Sequence, residues 1–148
     1  MIRILFCGAN STQTGELCAA FSKTPNFSVV SCASADRVRY VLTAHRSDII
    51  LLDTPPESAI DSVSLLRRVA PSARIVLWTE RASLEVTLKA IPLGVRGVVV
   101  KTASTAALLQ CLASVSEGEL WFDKSLFHYG PLPALPRPRL NAFQGLAH

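Results

Sequence analysis

Asp53, Thr79 and Lys101 are the residues of this 148-residue sequence whose types and positions best suit chemistry. Each stands directly after a short apolar run of the kind that forms a buried strand. If those strands run parallel, their carboxyl ends open into one crevice, where ligands bind in open α/β sheets. A carboxylate, a hydroxyl and an ammonium would then meet there. An ion pair between Asp53 and Lys101 that only stabilises the end of the sheet is the simpler alternative.

The elements that must position these residues alternate along the chain. Short apolar runs, rich in β-branched residues, are typical of strands buried on both faces. Apolar residues at helical spacing lie between them, and this alternation favours an α/β fold with a parallel sheet covered by helices on both faces. The predicted strands are Ile2–Cys7, Phe27–Ala33, Ile49–Leu52, Ala73–Trp78 and Gly97–Val100.

The first four helices are predicted from their apolar stripes. Ser34 and Ser104 precede the second and fifth helices, where a hydroxyl suits the N-cap position. The stripes are Leu17, Ala20 and Phe21, then Val38, Val41, Leu42 and His45, then Ile60, Val63, Leu66 and Val69, and finally Leu84, Leu88 and Ile91.

Composition sets broad limits on function. The net charge is +4, but the basic residues are scattered, so no nucleic-acid-binding stripe is predicted. No apolar run approaches the roughly 18 residues of a membrane span, and the first residues do not resemble a signal peptide, so a cytoplasmic protein is expected. The cysteines have no C-x-x-C spacing and lie among apolar residues, which indicates core packing rather than metal binding or redox chemistry. They are Cys7, Cys18, Cys32 and Cys111.

A change in composition after Phe127 indicates a domain boundary. Pro131, Pro133, Pro136 and Pro138 follow closely on one another and favour extended polyproline geometry. We therefore predict one domain over residues 1–127 and a proline-rich linker or tail over residues 128–148.

Four segments carry a resemblance to a known family. They are Asp48–Asp53, Arg74–Thr79, Leu93–Ser104 and Glu117–Trp121. The third is similar to the G-A-R-G-Y-L-L-K-D-A-S, and the fourth to the G-E-x-W, of the NarL/FixJ (LuxR-type) branch of response regulators. Over about residues 1–127 the sequence resembles the receiver domains of bacterial two-component signalling.

This resemblance implies a fold and a set of roles. The fold would be the doubly wound, flavodoxin-like (βα)5 receiver fold, with five parallel strands in the order 2-1-3-4-5. In such domains an Asp at the position of Asp53 accepts a phosphoryl group from a histidine kinase. A Thr or Ser at Thr79 contacts one phosphoryl oxygen, and the Lys at Lys101 neutralises another. A carboxylate nucleophile, a hydroxyl donor and a fixed cation suit phosphoryl transfer.

The sequence departs from the family where the metal should bind. Receiver domains have two acidic residues after the first strand, which hold Mg²⁺ together with the acceptor Asp, and here Gly8 and Ala9 replace them. Magnesium requires oxygen ligands, usually with one or two carboxylates. Asn10 offers only a neutral amide oxygen. Glu80 stands where the family usually has a small residue, and it could fill the pocket or pair with Lys101.

Two further departures concern the phosphorylation switch. The aromatic residue that normally changes rotamer aligns with Val98, and the prolines of the loop Thr54–Glu57 are shifted from their usual place. We therefore interpret the chain as an atypical receiver, or pseudo-receiver, of a two-component-type signalling or transcription regulator. It would act without phosphorylation, through dimerisation or partner binding, with no enzymatic activity, no cofactor and weak or absent Mg²⁺ binding. A conventional response regulator phosphorylated on Asp53 is the alternative.

A second alternative belongs to another class of protein. Gly8–Gly15 also resembles the phosphate loop of flavodoxins, with an S/T-x-T-G core after the first strand. Hydroxyls and backbone N–H groups at a helix N-terminus bind phosphate readily. That reading would make the chain an FMN-binding electron carrier, but it leaves Asp53, Thr79 and Lys101 unexplained.

The last predicted helix indicates a contact surface. Thr102–Ser116 contains no charged residue, whereas a helix at the surface normally keeps a charged face toward water. A homodimer or a partner domain is therefore expected to cover this helix, at Leu108, Leu109, Leu112 and Val115. An Ala-rich helix that is simply tolerated at the surface is the alternative. Relatives in this branch continue into a helix-turn-helix, and nothing after Arg139 is long enough for one, so DNA contact is expected only through a domain outside this sequence.

Overall fold

The structure, a computed structural model, describes residues 1–8 and 12–127 of the chain. Strands and helices alternate through this part of the molecule. The strands are β1 (Ile2–Cys7), β2 (Phe27–Cys32), β3 (Ile49–Asp53), β4 (Arg74–Thr79), β5 (Val95–Val100) and β6 (Trp121–Phe122). The helices are α1 (Thr12–Ser22), α2 (Val38–Ala44), α3 (Pro56–Val69), α4 (Leu84–Ala90) and α5 (Thr105–Ser116), and short 3₁₀ turns cover Ala35–Arg37, Ile91–Leu93 and Lys124–Phe127.

The strands form one parallel sheet in the order β2-β1-β3-β4-β5-β6. The predicted α/β class and the order 2-1-3-4-5 are confirmed, and β6 is an addition that the sequence analysis missed. Gly118, with φ +92°, turns the chain back after α5, and β6 then pairs beside β5. Gly97 permits this close approach, because a Cβ there would lie 3.1 Å from the Trp121 carbonyl oxygen. The edge of the sheet next to β5 is therefore covered.

The core lies on both faces of the sheet. Side chains of β1, β3 and β4 alternate between two apolar clusters, as strands buried on both faces require. Helices α2, α3 and α4 cover one cluster, and α1 and α5 cover the other. At the amino end of the sheet the guanidinium of Arg3 binds both carboxylate oxygens of Asp48 and holds the pKa of that carboxyl below its usual range. None of the described helices has the length and apolarity that crossing a bilayer requires.

The predicted helix boundaries and stripes hold in part. Ser104 caps α5 by accepting a hydrogen bond from the Ala107 N–H, as predicted, whereas the Ser34 hydroxyl donates to Asp36 instead of capping a helix. The stripe predicted for α4 was wrong at Leu88, which is 49% exposed. Thr87 and Ala90 are buried in its place, and Ala90 packs in the apolar cluster that α2, α3 and α4 cover.

The interface predicted on α5 requires a correction. Leu108, Leu112 and Val115 are buried against the chain's own sheet and are not available to a partner. Leu109 is only partly buried and lies at the margin of the same cluster. Packing within the chain therefore accounts for the apolar character of the inner face of α5. The predicted tail, residues 128–148, lies outside the described residues, as do Ala9 and Asn10.

Leu112 and Leu88 form a matched pair for testing this packing. Leu112→Ala should lower the free energy of unfolding by about 2–5 kcal/mol, because it leaves a cavity in a closed core. Leu88→Ala removes the same atoms from an exposed side chain, and it should change the free energy of unfolding by about 0.5 kcal/mol or less. Urea denaturation followed by tryptophan fluorescence measures both values, and equal losses would contradict the placement of Leu112 in the core.

Candidate functional site

The crevice at the carboxyl ends of the strands brings the three polar residues together. Asp53 is the last residue of β3, Thr79 is the last residue of β4, and Lys101 follows β5. The Lys101 N–H donates to the Thr79 carbonyl oxygen at 2.7 Å, which fixes the start of the loop after β5. The parallel register of the buried strands thus places these residues at one edge of the sheet, as their positions in the sequence indicated.

An ion pair joins two of these side chains. Lys101 Nζ lies 2.6 Å from Asp53 Oδ1, and each side chain is only 14% exposed. In such a place charges are poorly screened, so the attraction is strong, but both groups have also lost most of their water. Removal of either side chain would therefore leave the other as an unpaired charge in a poorly hydrated place.

The Lys101 ammonium also lies over an aromatic ring that the sequence analysis did not single out. Its Nζ is 4.9 Å from the centroid of the Trp78 ring, within the range of a cation–π contact. Trp78 is buried and packs edge-on against Phe6, with the ring centroids 6.0 Å apart. The carboxylate and the ring together hold the ammonium in one position. An aromatic residue directly before Thr79 was the available signal.

Thr79 lies at the crevice, but its hydroxyl is engaged elsewhere. The side chain is buried, and Thr79 Oγ1 donates to the Arg81 carbonyl oxygen at 3.1 Å. The hydroxyl would have to rotate away from this carbonyl before it could donate to a group bound at Asp53.

The end of β1 lies directly against the acceptor-like carboxylate. A Cβ built on Gly8 would lie 2.7 Å from the Asp53 Cβ, which is closer than real Cβ atoms approach. The Gly8 N–H donates to the Cys32 carbonyl oxygen at 3.0 Å, which holds this part of the backbone against β2. Glycine is therefore the residue that this close approach requires.

A cavity of about 280 Å³ opens beside the ion pair. Glu80 lines it and is exposed, so it does not close the entrance. Arg81 and Glu57 also line it and approach each other at 3.8 Å as an exposed pair. Among the described residues, the carboxylate partner of Lys101 is Asp53 and not Glu80. Larger depressions, of about 490 and 600 Å³, lie at the amino end of the sheet and beside β6, away from these polar groups.

The carboxylates around the crevice decide which metal ion could bind there. The described part of the chain contains no group of three or more His, Cys, Asp or Glu side chains that could hold a metal ion. Asp53 is the carboxylate at the end of its strand, and one of its oxygens already binds Lys101. Glu57 and Glu80 line the same cavity but do not join Asp53 in such a group, and magnesium prefers oxygen ligands gathered around it.

The structure describes part of the segment that resembles a flavodoxin phosphate loop. Helix α1 begins at Thr12, so the residues from Thr12 to Gly15 are helical. The rest of that segment, from Ala9 to Ser11, lies outside the described residues.

Comparisons with known proteins agree with the fold. No protein-family model matches the sequence. The transcriptional regulatory protein MctR of Rhizobium johnstonii is 28% identical over 101 residues, which cover 62% of this chain and 47% of that protein. A protein-glutamate methylesterase/protein-glutamine glutaminase of Caulobacter vibrioides is 28% identical over 118 residues, 77% of this chain and 34% of the enzyme. The chain thus spans half or less of these two relatives.

Solved structures are similar over most of the chain. A LuxR-family two-component response regulator from Aurantimonas has a TM-score of 0.74 at 22% identity, covering 84% of this chain and 91% of that one. The isolated receiver domain of RcsB from Salmonella enterica has a TM-score of 0.74 at 15% identity, covering 86% and 96%. A longer RcsB chain, solved on promoter DNA with a phosphomimetic, has a TM-score of 0.72 at 15% identity, covering 85% of this chain and 64% of that one.

The sheet order and these comparisons identify the same fold. The chain has the receiver fold of response regulators, and its structural neighbours include LuxR-family regulators, as the sequence resemblance implied.

The ion pair can be tested by a double-mutant cycle. Lys101→Met leaves the Asp53 carboxylate in the crevice without its cation, and it should lower the free energy of unfolding by about 3 kcal/mol. Asp53→Asn combined with Lys101→Met should cost clearly less than the sum of the single changes, with a coupling of about 1–3 kcal/mol.

The exposed Glu85–Lys89 pair, at 3.1 Å, provides the control. Lys89→Met should cost about 0.5 kcal/mol or less, because water and salt screen that pair. Denaturant unfolding measures all four variants. Additive losses at Asp53 and Lys101 would contradict the energetic coupling of the two residues.

Proposed function

We propose that this chain is a receiver module of a response-regulator-type signalling or transcription regulator, and that it works without phosphorylation of Asp53. The receiver fold and the similarity to regulators such as MctR support the first part. The chemistry of the crevice supports the second part. Such a module transmits a signal by changing what it associates with, and not by catalysis.

The single observation that carries the second part is the approach of Gly8 to Asp53. Where an ordinary receiver has a metal-binding carboxylate, this chain has Gly8. A Cβ at this position would lie 2.7 Å from the Asp53 Cβ, so the backbone as it stands leaves no room for an acidic side chain without a shift. Asp53 and Lys101 already neutralise each other at 2.6 Å. Transfer of a phosphoryl group needs positive charge at its oxygens, usually from a metal ion. Lys101 supplies one positive charge, and that charge is already paired with the Asp53 carboxylate.

Phosphorylation of the unmodified protein can be measured directly. With acetyl phosphate and Mg²⁺, we expect no added phosphoryl group in the intact mass, and Asp53→Asn should behave like the unmodified chain. A receiver that is known to take phosphate from the same donor checks the reagents. Stoichiometric phosphate that is lost in Asp53→Asn would contradict the proposal and would establish a conventional phosphorylated response regulator.

A second readout follows the crevice itself. In Trp121→Phe the remaining tryptophan is Trp78, whose ring carries the Lys101 ammonium. Its fluorescence should be unchanged by Mg²⁺ and by beryllofluoride, because neither finds a set of carboxylates at Gly8 and Asp53. Restoring the acid with Gly8→Asp is not a clean test, since the new Cβ would displace Asp53.

We propose further that the outer face of α5 forms the contact between two copies of this chain. Thr105, Ala106 and Gln110 are exposed, and Leu109 and Ala113 are partly exposed, so this face carries no charge. The sequence analysis had assigned this contact to Leu108, Leu112 and Val115, which are buried within the chain. The proposed contact therefore uses the outer face of the helix instead. Two-fold pairing through one self-complementary patch is the commonest assembly of soluble proteins. In this proposal a separate domain makes any contact with DNA. The proposed location of the protein is the cytoplasm.

The mass in solution tests this assembly. Leu109→Glu should convert the dimer to a monomer in light scattering over a range of micromolar concentrations, because it places a charge in an uncharged contact. Tyr40→Glu, at an exposed site on α2, should leave the dimer intact. Leu88→Glu, at an exposed site on α4, should disrupt the dimer as well if α4 extends the contact. A wild-type chain that is monomeric throughout would contradict the proposal.

A further inference from the structure

Two of the four cysteines are neighbours across the sheet. Cys7 ends β1 and Cys32 ends β2, and the two residues are direct partners in the parallel register of these strands. Both are buried free thiols, and both belong to the apolar cluster on the same face of the sheet. Nothing in their sequence spacing indicated this pairing, because it depends on the register of β1 against β2.

The geometry of adjacent strands suits a bond between these thiols. Neighbouring strands lie about 4.8 Å apart, within the range of about 4.4–6.8 Å that Cα atoms span in disulfides. Because both side chains leave the same face of the sheet, their Cβ atoms do not point apart. Cys111 packs in the cluster on the other face of the sheet, and Cys18 lies on α1, so neither shares this arrangement.

The two thiols also differ in reactivity. A side-chain hydrogen bond between them raises the pKa of Cys7 and lowers the pKa of Cys32, and burial adds to the rise at Cys7. Cys32 also contacts the Ser34 carbonyl oxygen at 3.5 Å. β2 is the edge strand of the sheet, so Cys32 is the thiol closer to solvent. Since the thiolate is the reacting species, we expect Cys32 to react with an oxidant before Cys7 does.

We propose that Cys7 and Cys32 form a reversible disulfide when the protein reacts with hydrogen peroxide. The Cys32 thiol is oxidised to a sulfenic acid as the peroxide O–O bond breaks and one water is released. The Cys7 sulfur then attacks the Cys32 sulfur, the S–O bond breaks, and a second water leaves. For hydrogen peroxide the sum is two thiols and one peroxide giving one disulfide and two waters. A dithiol reductant reverses the step by thiol–disulfide exchange.

This modification site lies beside the crevice. Cys7 is the residue before Gly8, whose N–H is bonded to the Cys32 carbonyl oxygen and whose Cα faces Asp53. A disulfide would therefore add a covalent link between β1 and β2 at the point where the backbone approaches the acidic side chain. A receiver that does not depend on phosphate would thus have a different chemical input, oxidation, at the same end of its sheet.

The full-length protein with Cys18→Ser is the material for the test. Trypsin cuts after Arg3, Lys23 and Arg37, so in this variant Cys7 and Cys32 are the single cysteines of two different peptides, residues 4–23 and 24–37. The reduced protein is treated with hydrogen peroxide, alkylated under denaturing conditions and digested. Cys7→Ser and Cys32→Ser in the same background are the controls, and Cys111 serves as an internal thiol with its pKa raised to about 12 by burial.

We expect a cross-linked pair of peptides, an intact mass lower by two hydrogen atoms, and full return of both thiols with dithiothreitol. In Cys7→Ser the cross-link should be absent and Cys32 should proceed to higher oxides. Alkylation of both Cys7 and Cys32 after peroxide, or oxidation of Cys32 to sulfinic acid without a cross-link in the presence of Cys7, would overturn the proposal. The assay uses neither a phosphodonor nor a metal, so its result is independent of the proposal that Asp53 is not phosphorylated.

Discussion

The parallel sheet, buried on both faces, is the constraint on which the rest of this structure depends. Strands that face helices on two sides must be apolar throughout, so polar chemistry is left only at their ends. The carboxyl ends of β3, β4 and β5 place Asp53, Thr79 and Lys101 around one crevice. The helices that cover the sheet exclude water from its sides, and the ion pair between Asp53 and Lys101 therefore forms where screening is weak.

Charge balance follows from this placement. In an ordinary receiver, three carboxylates need a divalent cation as well as the lysine, so the crevice is ready for a metal and then for a phosphoryl group. Here one carboxylate faces one ammonium, and the Trp78 ring adds to the stability of that ammonium. The Asp53 carboxylate and the Lys101 ammonium balance each other, while Glu57, Glu80 and Arg81 line the cavity beside them.

Much of the fold could be predicted from the sequence, because the periods of buried strands and of helices are visible in it. The meeting of Asp53, Thr79 and Lys101 followed from their places at strand ends. Features that depend on the third dimension could not be predicted. The inward rotation of Leu108 and Leu112, the addition of β6 and the Trp78 contact arise from packing between elements. The pairing of Cys7 with Cys32 depends on strand register, to which cysteine spacing gives no access.

The end of β1 carries Gly8, one of the two residues that replace the acidic pair of the family pattern. Loss of a side chain at Gly8 lets the backbone approach Asp53 closely. The Gly8 N–H and the Cys7 side chain both face the end of β2, through the Cys32 carbonyl oxygen and the Cys32 thiol. At Gly8 a single backbone position is therefore bonded to β2 through its N–H and packed against the Asp53 side chain, where a Cβ would not fit without a shift.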